Sequence, residues 1–161
     1  MLPELKNQSG PVHPGWFAVA VQVLVFLNRS HGEVCPSAAI ADQVGSHAVF
    51  LRRIVAYLVR ASIVEAREGR EGGYRLAHPA EEITLAQVYR ALQATGEGTM
   101  LPVVPERGPQ LEPGVRAAFR EIGDEFDACI IEVLSKRTLA DIARRAEVGS
   151  PAQRDFQPPQ K

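Results

Sequence analysis

Between Ser46 and Arg75 the chain carries six arginines (Arg52, Arg53, Arg60, Arg67, Arg70 and Arg75) against three glutamates, Glu65, Glu68 and Glu71. A guanidinium is a planar fork of donors that bridges the two acceptors of a guanine edge or clamps a phosphate, so such a run points to an anionic partner. The chain as a whole does not share this balance: its 161 residues sum to −1, and Gly96 to Lys161 holds nine basic against eleven acidic residues. Any case for nucleic acid is therefore local and lies in the middle of the sequence. Other chemistry is sparse. His13, His31, His47 and His78 lack metal-ligand spacing, and no metal is expected. The two cysteines, Cys35 and Cys129, are far apart, which argues against a secreted disulfide scaffold and suits a reducing, cytoplasmic setting. Neither carries a sequence signature of thiolate activation, so no enzyme is expected, and a thiol-based redox switch through Cys35 or Cys129 stands as an alternative sensing role.

The arginines need elements to hold them. Residues 1–13 lack periodicity and read as a flexible N-terminal arm. Trp16 to Leu27 is apolar on every side, which fits a buried helix or a buried strand; its length favours the helix, with Pro14 at the first turn. Twelve residues, interrupted by Gln22, are too few to cross a bilayer, and no basic stretch with an apolar run and a cleavage site opens the chain, so no membrane partner is expected. Pro36-Ser37 opens a second helix, Ala38 to Val44, ended by Gly45. Ser46 caps a third, running to about Ala61, with Phe50, Leu51, Ile54, Val55, Leu58 and Val59 at helical spacing and Arg52, Arg53 and Arg60 away from that stripe. Ile63 to Ala66 and Tyr74 to Ala77 read as strands joined by the glycine-rich loop 67–73. Thr84 and Gln87 form a capping box for a fourth helix, to about Ala94.

Residues 95–114 hold four glycines and four prolines and read as a hinge loop. A long helix follows in which Val115, Phe119, Ile122, Phe126, Cys129 and Val133 are spaced 4, 3, 4, 3 and 4, the pattern of a coiled-coil seam and hence of a homodimer interface. On that seam Cys129 faces its counterpart in a partner or serves as a small apolar filler. The pattern fails at Lys136; Thr138 to Asp141 starts a short terminal helix, and 147–161 reads as a disordered tail. The fold class is thus mainly α with a small β-hairpin: a winged helix-turn-helix domain over 14–94, then a dimerisation helix and a short terminal helix over 115–146.

Within that domain Ser37 to Ile54 fits a helix-turn-helix. Ile40 and Val44 face inward, Ala41 is small at the crossing, Gly45 permits the turn, and Leu51 and Ile54 pack the second helix back. A helical hairpin without nucleic acid has the same spacing, but a glycine-rich hairpin directly after the helices is the order of a winged helix.

Four segments recur here in one order: Ile40-Ala-Asp-Gln-Val-Gly45, Phe50-Leu-Arg-Arg-Ile54, Gly69-Arg-Glu-Gly-Gly-Tyr-Arg-Leu76 and Glu82-Ile-Thr-Leu85. Together they resemble the Rrf-two family of winged-helix transcription regulators, over about Phe17 to Leu92. The resemblance implies a sequence-specific regulator, a repressor in this reading, that grips a partly palindromic operator in double-stranded DNA as a homodimer. It implies DNA contacts from Ser37, from Ser46, His47, Ala48, Val49, Phe50, Arg52 and Arg53 at the start of the recognition helix, and from Arg70, Gly72, Gly73, Tyr74 and Arg75 of the wing. Glu68 and Glu71 place acid beside Arg70, which shifts weight from the wing to the recognition helix and keeps a protein-interaction module as the alternative. Cluster-holding relatives carry three cysteines after the fourth helix; residues 95–114 contain none, so neither an iron-sulfur cluster nor another cofactor is expected. A small-molecule effector between the domain and the long helix is a further expectation.

Overall fold

A computed structural model describes residues 15–45, 48–93 and 111–148 of the chain. They form α1 (Gly15–Arg29), α2 (Ser37–Val44), α3 (Ala48–Arg60), β1 (Val64–Arg67), β2 (Gly73–Leu76), α4 (Leu85–Gln93), α5 (Pro113–Ser135) and α6 (Leu139–Glu147). The arm, the cap position Ser46, His47, most of the expected hinge and the tail beyond 148 lie outside the described residues.

The apolar run at the start resolves as a helix. α1 is the post around which the domain is built: Ala20, Val23, Leu24, Val25 and Leu27 are buried, and α2, α3, α4, α6 and β2 all pack on it. A segment touched from so many directions has no polar stripe to show, which is why its periodicity carried no signal. α2 ends as expected, with Gly45 left-handed at φ 62° and its amide bonded to the Ala41 carbonyl at 3.0 Å. Ile40, Leu51 and Ile54 are buried at the crossing of α2 and α3.

The wing strands sit one residue off the sequence reading. Ile63 belongs to the turn that closes α3, its amide on the Leu58 carbonyl at 2.9 Å, so β1 starts at Val64. β2 starts at Gly73 because its first residues are held from behind. Tyr74 exchanges both backbone hydrogen bonds with Cys35, at 2.8 and 2.9 Å, an antiparallel bridge that ties the wing to the loop between α1 and α2. The backbones approach so closely that a Cβ on Gly73 would lie 2.6 Å from the Cys35 carbonyl carbon. The register pairs Val64 with Leu76 and Arg67 with Gly73.

The C-terminal part returns to this core. Two capping boxes, Thr84 with Gln87 and Thr138 with Asp141, start α4 and α6. Their threonines pair in an antiparallel bridge: the Leu85 amide donates to the Arg137 carbonyl at 2.9 Å and the Leu139 amide to the Ile83 carbonyl at 2.8 Å. Leu139, Ala140 and Ala143 are buried, and Leu139 is 0% exposed within the same core as Leu24 and Ile54. α5 runs across α4, where Gly123 is its buried residue and the Tyr89 hydroxyl donates to Asp127 Oδ1 at 2.7 Å.

Candidate nucleic-acid interface

α3 has two unlike faces. Leu51, Ile54, Val55 and Leu58 are buried, while Val49, Arg52, Arg53, Ala56 and Arg60 are exposed. Val49, at 78% exposure, is an apolar side chain left bare among the described residues. Such a face offers two arginine forks and one aliphatic surface to whatever lies against it, the chemistry that reads guanine edges and thymine methyl groups.

The two arginines are not equivalent. Arg52 is exposed and makes no hydrogen bond or ion pair among the described residues. Arg53 is held: its Nε donates to the Tyr57 hydroxyl at 3.2 Å, and its guanidinium carbon lies 5.3 Å from the centre of the Trp16 ring. Phe50 is half-buried, its ring edge-on to Trp16 at 4.9 Å, so it braces the base of the exposed face. Trp16 was not singled out as a site residue from the sequence. Its only signal there was aromatic bulk at the start of an apolar run, and its partners lie more than thirty residues away.

At the start of α2, Ser37 is exposed as the first residue of the helix, after Pro36, and no side-chain hydrogen bond caps that terminus among the described residues. Its hydroxyl and the first free amides of the helix therefore face solvent together, an arrangement suited to a phosphate oxygen. Ser46 and His47 lie outside the described residues, and Ala48 opens α3.

In the wing, Arg70 is exposed at the tip between Glu68 and Glu71, both exposed. Arg75 pairs across the strands with Glu65 at 2.8 Å; both groups are half exposed, so the pair is screened and weak. Gly72 and Gly73 are half-buried where backbones meet, and Tyr74 packs against the core through a bridge made by its backbone. Of the expected wing residues, Arg70 and Arg75 present charge outward.

The seam of α5 lies on one exposed face: Val115, Phe119, Ile122, Phe126, Cys129 and Val133 all face solvent, with Phe126 at 48% exposure. A flanking face, about a quarter turn round the helix, holds Gly123 and Asp127 against α4. Cys35, by contrast, is buried, its thiol against the Ser30 hydroxyl at 2.9 Å. A cleft of about 450 Å³ opens between the end of α3, the start of the hairpin and α4, lined by Ser62, His78, Glu82, Gln87 and Arg90 among others; α5 does not line it. No helix among the described residues is long and apolar enough to cross a membrane.

Comparison with known proteins decides what this arrangement is. The family model Rrf2, described as iron-dependent transcriptional regulator, matches residues 16–145. The chain belongs to the Rrf2 family. It is a DNA-binding transcription regulator of the winged-helix class. It is 32% identical over 128 residues to an HTH-type transcriptional regulator of Mycobacterium tuberculosis, covering 77% of this chain and 76% of that one. Two solved structures share the fold. IscR of T. potens superposes with a TM-score of 0.58 at 24% identity, over 86% of this chain and 90% of its own. CymR of B. subtilis, titled the global cysteine regulator, gives 0.56 at 24% identity, over 81% and 94%.

Iron, named in the family's description, calls for a set of donor side chains. An iron-sulfur cluster is held by several thiolates. This Rrf2 chain has two cysteines in all. Cys35 is buried behind the wing and Cys129 sits on the outer face of α5. Among the described residues no three His, Cys, Asp or Glu side chains gather as metal ligands.

Proposed function

We propose that this Rrf2 protein is a sequence-specific repressor that binds a partly palindromic operator as a homodimer. α3 enters the major groove with Val49, Arg52 and Arg53 toward the bases. Ser37 and the start of α2 take a phosphate, and Arg70 reaches the adjacent minor groove. The observation that carries this reading is the exposed face of α3, two arginines and a bare valine on a helix whose other side is locked into the core. Pairing through the outer face of α5 supplies the symmetry, since six side chains, five apolar and one thiol, at seam spacing would otherwise stay in water. Repression by occlusion needs no surface beyond these two, and the role places the protein in the cytoplasm with the chromosome.

We further propose that it works without a resident iron-sulfur cluster or other metal, because its two cysteines lie on separate elements. Any signal that biases DNA binding would then be a small molecule, or an oxidant acting on Cys35 or Cys129.

Selection from a random duplex pool tests the reading. Enrichment of a partly palindromic sequence, with half-sites whole helical turns apart and two chains bound per duplex, supports it. Enrichment of a single unsymmetrical half-site bound by one chain contradicts the dimer. No enrichment at low salt, with a stable complex formed with another protein instead, favours the protein-interaction module that the acidic wing suggests.

A further inference from the structure

We propose that Trp16, with Tyr57, is a positioning residue for DNA reading: the two hold the Arg53 guanidinium in one orientation on the outer face of α3. The inference rests on the reading of α3 as the recognition helix and adds to it a residue from a different helix. Trp16 is itself wedged. Its ring meets Phe50 edge-on at 4.9 Å and 88°, and stacks on Tyr57 at 6.2 Å and 22°. Phe50 and Tyr57 are both half-buried and packed on the core, so the indole is a fixed platform and not a loose surface ring. Arg53 lies over this platform at 5.3 Å, and its Nε donates to the Tyr57 hydroxyl at 3.2 Å.

The chemistry of the two contacts matters. The aromatic platform attracts the guanidinium through its charge and flat face, and the hydroxyl oxygen accepts a hydrogen bond from Nε–H. A free arginine on a helix surface samples many rotamers and must be ordered when DNA binds. One already ordered avoids that loss, which corresponds to about three- to tenfold in affinity for a rotamer-rich side chain. Because the ordering favours one geometry, the gain goes to the operator and is small on unrelated sequence, where a phosphate can be met from many rotamers.

The test uses the full chain, a duplex enriched by the wild type from a random pool, and an unrelated duplex of equal length at the same salt. Tyr57→Phe removes one oxygen. It is expected to weaken the enriched duplex about three- to tenfold while leaving the unrelated duplex within about twofold and Tm unchanged. In an Arg53→Ala background the same change should have no further effect, because its target is gone. Trp16→Leu should behave likewise, with partial recovery in Trp16→Phe. If Arg53→Ala weakens the enriched duplex but Tyr57→Phe and Trp16→Leu do not, or if they weaken it equally without Arg53, the positioning role is overturned and the recognition helix stands. If Arg53→Ala binds as the wild type does, the positioning role is overturned together with the place given to Arg53 in DNA reading.

Discussion

Arg52 and Arg53 stand one residue apart on α3 in different surroundings, solvent for the first and an aromatic platform for the second. Their losses should differ in kind. Arg52→Ala, if it takes a base edge, weakens binding by about 1–3 kcal/mol and relaxes preference at one operator position; if it takes a phosphate, it reduces the salt slope by about one instead. Binding isotherms at several salt concentrations tell the two apart. Away from the interface, Asp141 is the acid that closes the α6 capping box. The Thr138 backbone amide and then the Arg144 guanidinium hold its carboxyl below the ordinary carboxylate range. A folded-state value below the unfolded one means that its contribution is present above the unfolded value of 3.8 and is lost as pH falls through the lower, folded value. The Tm difference between wild type and Asp141→Asn should therefore be largest near neutrality and shrink as the pH falls into the acid range. A difference that grows with acid would contradict this.

Among the elements, those with a one-sided stripe or a terminal signal were legible in the sequence. Ser37 to Ile54 reads as two crossing helices because Ile40, Leu51 and Ile54 repeat at helical spacing around Gly45. Thr84 with Gln87, and Thr138 opening α6, announce their helices by a threonine directly before the first turn. What stayed hidden is contact across long separations. The bridge between Cys35 and Tyr74, the pairing of Thr84 with Thr138, and the stacking of Trp16 on Tyr57 join residues that no local window contains. The bounds of the wing strands shift by one residue while Ala66 still faces Tyr74 as the sequence reading places them, and Gly73 begins β2 where the Cys35 backbone lies behind it. Gly73→Ala should accordingly destabilise the fold by about 1–3 kcal/mol, as overpacking against fixed backbone does. A melting curve checks it, and an unchanged Tm would show that the wing does not need this anchor.

For the whole molecule, the proposed dimer helix is tied to the core along its side, by Tyr89 to Asp127, and just beyond its end, by the Thr84 to Thr138 bridge ahead of the docked α6. Removing everything after Glu112 would strip Leu139 from the core, so a truncated chain cannot report on pairing alone. Phe119→Glu with Phe126→Glu alters only the exposed face. It should give a folded monomer by light scattering and a weakened hold on a two-half-site duplex, whereas a persistent dimer would move the interface elsewhere. The apolar spacing of α5 made that face visible in the sequence, but not how firmly it is tied to the reading head. The central claim is that α3 reads DNA, and it is tested most directly by titrating an operator duplex, labelled for fluorescence anisotropy, with wild type and with Arg52→Ala/Arg53→Ala. Tight binding by the wild type that weakens as salt rises, and its loss in a double variant that still melts as a folded protein, is the result predicted. Equal affinity of the two proteins would contradict the account.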